Sequence, residues 1–271
     1  MRFGSLFSGI EAASVAWEPL GWEPVFFAEI NKHCSRLLAT TWPHVPNLGD
    51  VTDADFLLRA EQYSVDVLVG GDPCPSRSKA RGNRPSKSPD LAGYFLAVAA
   101  RLSPRWVVRE NVPSSDACEF AICLELLGYR VVYLSLDSRC FTGQSRKRDF
   151  CIACANHRTA TLFQRIVFES SNDHRSCATS SETRPAIAAC LTAHQGRRYA
   201  AEENYVYEEG IGIRSLDVGE CERLQGFCGS HTAGFSDGVR RRMCGNSMTV
   251  DVVRWIGKRI MDAERAEVPS C

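Results

Sequence analysis

A cysteine followed by a run of cations is the first feature with chemistry in it. Residues 65–69 (VDVLV) form a short apolar, β-branched run, the signature of a parallel strand buried on both faces. Gly70 and Gly71 then allow a sharp turn with φ > 0 and close approach of a ligand, and Pro73 stiffens the chain directly before Cys74. Cys74 is thereby expected at the carboxyl end of a strand, the edge at which open α/β sheets bind ligands. Arg77, Lys79, Arg81, Arg84 and Lys87 follow with no acid before Asp90. Cations raise the thiolate fraction of a nearby cysteine and attract a polyanion, so the expected chemistry is nucleophilic attack on a polyanionic substrate. A cysteine is ordinarily a small core hydrophobe, and this chain has 13; a basic loop is ordinarily a solvated face. The conjunction of strand end, Gly-Gly, Pro-Cys and cations is what a core cysteine does not need.

Other strand ends deliver further groups. Residues 3–7 read as a first strand, Ser8-Gly9 as a turn, and EAASVAWEPLGW as a helix closed by Pro19 and Gly21. Residues 25–28 form a second strand ending in Glu29, placed to hydrogen-bond the ribose of an adenosine ligand while the first turn offers backbone amides. Glu11 and Ser14 stand where a dinucleotide fingerprint requires glycine, which argues against a pyrophosphate cofactor. Asp50, near a third strand end, either accepts from an adenine amino group or serves as a turn acid or helix cap. RWVVREN ends a strand at Glu110, which is either an acid paired with Arg109 or Arg105 or, given the convergence of strand ends, a site residue. Gln144, Arg146 and Arg148 alternate along an extended segment, so the two arginines face one way, toward a phosphate, the substrate or open solvent. Cys151, Cys154 and His157 have the spacing of half a zinc site, but without a second pair the ordinary reading is cysteines in a buried strand, and no metal is expected.

The elements that must hold these groups are sized for one large domain with an appendage, or two small ones, in 271 residues of 44% hydrophobic composition. No apolar run reaches transmembrane length, the start lacks the pattern of a signal peptide, and an odd number of cysteines points to a reducing compartment, the cytoplasm. Zero net charge disfavours indiscriminate nucleic-acid binding, yet the stripe at residues 77–87 can still meet phosphates. Helices are expected over residues 31–41, 90–102, 117–127, 216–226 and from 248, with strands over 130–136 and 150–155. Residues 156–183, rich in Ser and Thr, read as an irregular insert, and the polar tail from Asp262 as frayed.

With these residues in place the chain resembles the DNA (cytosine-5) methyltransferases over nearly its full length. FSGIE (residues 7–11), Glu29, Asp50, GGDPC, Glu110-Asn111-Val112, QSRKR, RPAIAACLTA, the helix ending LQGF, and GNSM follow that family's motif order. The resemblance implies an α/β, Rossmann-like S-adenosylmethionine-dependent methyltransferase sheet with a small irregular target-recognition domain. Residues 1–155 would form the catalytic and cofactor domain, completed by 245–271, with 156–244 as recognition domain and hinges. It implies Cys74 as nucleophile, Glu110 as proton donor to the cytosine ring, and Arg146 and Arg148 as the base's grip. S-adenosylmethionine would be held by Phe7, Ser8, Gly9, Ile10, Glu11, Glu29, Ile30, Asp50, Val51, Asp72, Asn246 and Ser247. DNA would be held by Arg77, Lys79, Arg81, Arg84, Lys87 and Gln144. The implied setting is double-stranded DNA in the cytoplasm of a bacterial or phage-infected cell, with a cognate restriction endonuclease as partner, no membrane, and a monomeric enzyme. Glu11 replaces a common Gly, Asp72 and Pro75 replace Pro and Gln, and Arg77 a common Phe, departures that bear on loop geometry and rate. Two alternatives stay open: a transfer-RNA cytosine-5 methyltransferase, and a protein of this fold that binds cofactor and DNA without turnover.

Overall fold

A computed structural model describes residues 1–73, 91–113, 116–174, 187–192 and 204–267. Its main sheet is built from β1 (Arg2–Leu6), β2 (Glu23–Ala28), β3 (Val67–Gly70), β4 (Trp106–Asn111), β5 (Arg130–Asp137) and β6 (Lys147–Cys154), in the order β2-β1-β3-β4-β6-β5. The pairs β1–β2, β1–β3 and β3–β4 are parallel, whereas β6 runs antiparallel to both its neighbours. Side-chain alternation along the strands then divides the core in two. Val67, Val69, Trp106, Val108 and Ile152 face one hydrophobic cluster, and Leu68, Val107, Cys151 and Ala153 the other.

Helices cover both faces, as a sheet apolar on both sides requires. The first face carries α1 (Ala12–Trp17), α6 (His157–His174) and α9 (Val250–Glu267); the second carries α3 (Phe56–Ala60), α4 (Ala92–Leu102) and α5 (Asp116–Leu126). α2 (Lys32–Thr41) starts where expected because the Asn31 side chain accepts from the amides of His33 and Cys34. α9 crosses α1 so closely that a β-carbon at Gly257 would stand 2.5 Å from Trp17 Nε1, and that indole donates to Val253 O at 2.8 Å. α7 (Val218–Leu224) carries a reciprocal Asp217–Glu220 capping box, and α8 (Asp237–Asn246) follows it. A separate hairpin pairs β7 (Tyr205–Glu208) with β8 (Gly212–Ser215). None of the described helices is long and apolar enough to cross a membrane.

Four expectations are corrected. Residues 157–174 are not irregular but form α6, whose Ala160, Phe163 and Val167 are buried at the i, i+3, i+7 spacing of one helical face, with Phe163 edge-on to Trp106 at 5.4 Å. The Ser and Thr of residues 156–183 had outweighed that stripe in the sequence. The tail beyond Asp262 is not frayed as far as Glu267: Glu264 accepts from Trp106 Nε1 at 2.7 Å, and Glu267 accepts from Arg105, Asn156 and Thr159. The third strand near Leu48 is reduced to a single Phe27–Asn47 bridge. Finally, neither Gly70 nor Gly71 has positive φ. They are required for space, since a β-carbon at Gly70 would stand 2.5 Å from Leu6 O and one at Gly71 3.0 Å from Glu110 Oε2.

Candidate active site

The parallel strands deliver Phe7, Glu29, Gly71 and Glu110 to one edge of the sheet, and β6, running the other way, brings its first residues to that same edge. There Asn111 pairs with Asp149 in the strand register, with Arg148 immediately beyond. A cleft of about 590 Å³ opens at this edge. Phe7, Gly9, Glu29, Ile30, Asp50, Val51 and Asn246, all expected to hold cofactor, line it together with Glu110, Arg146 and Arg148.

The turn between β1 and α1 is conformationally unusual. Phe7, Gly9 and Glu11 all have positive φ, at 53°, 57° and 62°, and only the glycine takes that region without strain. Glu29 fastens the turn: its carboxylate accepts from Gly9 N at 2.7 Å and from Asn31 N at 2.6 Å. Ile30, 69% exposed beside it, offers an apolar plate on the cleft wall. Asp50 serves the local fold as well as the cleft, accepting from the amide and hydroxyl of Thr52. A carboxylate on the cleft wall, the apolar Ile30 beside it and a turn of backbone amides form a lining of the kind that an adenosyl amino acid fits.

Five side chains assigned to cofactor do other work. Ser8 Oγ donates to Ser5 O and accepts from Ala28 N, tying β1 to β2. Ile10 is a core residue whose carbonyl bonds the imidazole of His231 at 2.8 Å. Glu11 is buried behind the turn, where it accepts from Ser5 Oγ, Ser14 N and Ser14 Oγ and caps α1. Burial pushes its carboxyl from 4.5 up to about 7. Asp72 also lines the cleft, but its carboxylate is committed to Arg109, with Nη2 to Oδ2 at 2.7 Å, and that guanidinium lies 4.2 Å above the Phe120 ring. Ser247 is buried and donates to Met248 O.

Around Glu110 the two arginines separate in role. Arg148 Nε stands 3.0 Å from Glu110 Oε1. Burial raises the Glu110 pKa, and Arg148 and then Arg146 oppose that rise. Arg146, buried, donates instead to the carbonyls of Leu191, Gly245 and Ser247 at 2.9, 3.1 and 2.9 Å. It is a clasp between β6, the 187–192 segment and the α8–α9 junction rather than a free grip on substrate. Gln144, expected on nucleic acid, is fully buried and accepts from Leu191 N at 2.6 Å. Cys151 and Cys154, three apart on one strand, belong to opposite faces of the sheet, and no cluster of metal-ligating groups occurs among the described residues. Cys74, Arg77, Lys79, Arg81, Arg84 and Lys87 lie outside the described residues.

Sequence reading placed Asn246 at the cleft but missed the helix that carries it and the rest of that wall. α8 presents Val239, Arg242, Met243 and Asn246 to it, at the i, i+3, i+4, i+7 spacing of one helical face. Ser236-Asp237 ahead of that periodicity was the available signal for a helix start.

Known proteins resemble this chain in sequence and in fold. Type II methyltransferase M.DsaV of Dactylococcopsis salina is 25% identical over 307 residues, covering 96% of this chain and 86% of that protein. A protein of Escherichia phage P1 named DNA N-6-adenine-methyltransferase is 46% identical over 123 residues, which is 41% of this chain but only 16% of the phage protein, to which the activity in that name belongs. The crystal structure of a DNMT2 variant from Spodoptera frugiperda shares the fold, with a TM-score of 0.72 over 96% of this chain and 99% of that one at 14% identity. The family model for C-5 cytosine-specific DNA methylases matches residues 1–211 and 161–262, and with that match over most of its length this chain belongs to the C-5 cytosine-specific DNA methylase family.

Proposed function

We propose that the chain methylates carbon 5 of cytosine in duplex DNA through a covalent adduct on Cys74, with S-adenosylmethionine held in the cleft by the Phe7–Gly9 turn, Glu29, Ile30, Asp50, Val51 and Asn246. The observation that carries this reading is the buried Glu110 carboxyl at the cleft floor, its proton retained above the usual carboxylate range by burial, at the same sheet edge as the Gly71-Asp72-Pro73 lead into Cys74. Carbon 5 of cytosine is a weak nucleophile. Addition of the Cys74 thiolate to carbon 6, with Glu110 donating a proton to ring nitrogen 3, moves an electron pair to carbon 5 without leaving charge on the ring. S-adenosylmethionine supplies the electrophilic methyl group when bound. Loss of the carbon-5 proton then expels the thiolate as carbon 5 and carbon 6 regain their double bond, and return of the nitrogen-3 proton to the Glu110 carboxylate restores the ring. Arg148, beside Glu110, orients that carboxyl and faces the base.

The target base must leave the duplex to reach this floor, and the cations at residues 77–87 are assigned to the phosphates around the gap. Because α6 is packed into the core, target recognition is assigned to the chain between α6 and α8. The likeness to a Type II methyltransferase supports a cognate restriction endonuclease as partner. Duplex DNA carrying 5-fluorocytosine tests the proposal. Fluorine cannot leave carbon 5 as a cation, so the chain should be trapped on that DNA, in the presence of S-adenosylmethionine, as a complex that survives denaturing electrophoresis and maps to Cys74. Trapping on a transfer-RNA substrate alone would move the activity to RNA, and turnover without any adduct would remove Cys74.

A further inference from the structure

Two consecutive residues past the end of β3 serve the end of β4. The register pairs Gly70 with Arg109, which brings Gly71 beside Glu110 and Asp72 beside Asn111. Gly71 leaves room for the Glu110 carboxyl, since a β-carbon there would stand 3.0 Å from Oε2. Arg109 and Glu110, as neighbours on a strand, point to opposite faces, and Arg109 lies over Phe120 of α5. Asp72 takes both prongs of that guanidinium: Nε donates to Oδ1, and Nη2 to Oδ2 at 2.7 Å. Asn111 Nδ2 adds a bond to Asp72 O at 3.2 Å.

Each of the two charged side chains is only 4% exposed. Withdrawing two charges from water is so costly that apolar residues of similar volume often give equal or greater stability, which makes stability a weak reason for this pair. Its place is a stronger one. Asp72 stands two residues before Cys74, and Arg109 stands next to Glu110. A guanidinium there without a counter-charge would favour the ionised form of Glu110, which cannot donate a proton. Glu110 faces Arg148 and Arg146 from the QSRKR segment, Asp72 from the end of β3 and Arg109 of its own strand, while Glu29, Asp50, His33 and Arg242 line the cleft around it. Burial raises its pKa, Arg148 and then Arg146 oppose the rise, Asp72 adds to it, and Arg109 opposes it.

We infer that Asp72 and Arg109 are a positioning pair for the reaction: they fasten the chain that leads into Cys74 onto the strand that carries Glu110, and Asp72 supplies the counter-charge that lets a buried guanidinium lie next to the proton donor. The inference rests on the methyltransferase reading of the cleft. A carboxylate suits this task because it meets the guanidinium fork with two parallel bonds and so fixes direction as well as charge.

Single-turnover methylation by the full chain at saturating S-adenosylmethionine, followed across pH, tests the pair. Glu110 works protonated, so the rate falls along a high-pH limb as it ionises. Asp72→Asn keeps the shape but removes the anion; it should slow methylation at least about tenfold and move that limb to lower pH. Arg109→Met should move the limb to higher pH. The double variant, with both charges gone, should place the limb between those of the single variants and still be about tenfold slow, because the fastening is lost. Calorimetry with S-adenosylhomocysteine should give all three variants the wild-type affinity within about twofold. A double variant as fast as wild type would overturn the inference, even if the single variants failed to fold. So would rates that fall with the limb unmoved, the mark of a merely structural pair, or a loss of affinity that saturating cofactor repairs, which would give Asp72 to the cofactor. A wild-type chain that neither methylated duplex DNA nor was trapped on its 5-fluorocytosine form would instead sink the methyltransferase reading, and the inference with it.

Discussion

Glu110 Oε1 lies 3.0 Å from Arg148 Nε, with 12% and 17% of the two side chains exposed, while Arg146, two residues earlier on the same segment, is turned away into backbone carbonyls. Two arginines that look alike in sequence are thus expected to fail differently when removed.

Arg148→Ala should lower single-turnover methylation by about 100-fold, the usual effect of displacing a positioned proton donor, at a stability cost of about 1 kcal/mol or less. It should also move the high-pH limb of the rate profile upward, since the nearest cation opposing Glu110 protonation is gone. Arg146→Ala should instead lower unfolding stability by about 3 kcal/mol, because buried carbonyls of Leu191, Gly245 and Ser247 lose their donor. Denaturant titration beside rapid-quench kinetics distinguishes the two. Equal stability losses would contradict this division of roles.

Glu11 makes stability depend on pH. Its carboxyl titrates at about 7 in the folded chain against 4.5 ordinarily, so between these values the native state holds a proton that the unfolded state has released. Stability therefore falls as pH rises through that window, by about 3 kcal/mol, and the loss is complete above the folded value. Glu11→Gln cannot ionise, so the difference between variant and wild type should shift in the variant's favour from pH 5 to pH 8. Parallel stability curves across that range would show that Glu11 titrates normally.

Removal of residues 262–271 should be costly. The last two turns of α9 place Glu264 on Trp106 and Glu267 on Arg105, Asn156 and Thr159, and bury Ala263. Truncation should lower stability by about 3 kcal/mol, or the melting temperature by roughly 6 to 12 °C. A melting curve that matched the full chain would mean that these contacts add nothing.

The sequence by itself determined the parts of this protein that depend on local spacing. A buried β-branched run ended by Gly-Gly, a strand-turn-helix unit ending at Gly21, and acids just past the strands are legible because strand ends and turns need particular residue types nearby. Glu29 and Glu110 could be placed at one edge on that basis, and both line the cleft. Tertiary structure decided which way each polar side chain turns. Whether Arg146 or Arg148 meets Glu110 depends on carbonyls 45 to 101 residues away in the chain, and no pattern within the QSRKR segment carries that information. The same holds for Glu11, whose type and position suggest a ligand contact but whose carboxylate is drawn inward by Ser5 and Ser14. It holds again for α6, whose buried stripe is defined only by the packing of α9 and the sheet against it, and for Arg242, whose place on the cleft wall depends on how α8 packs. Local propensity selects the elements; long-range packing and the need to satisfy buried polar groups select the site.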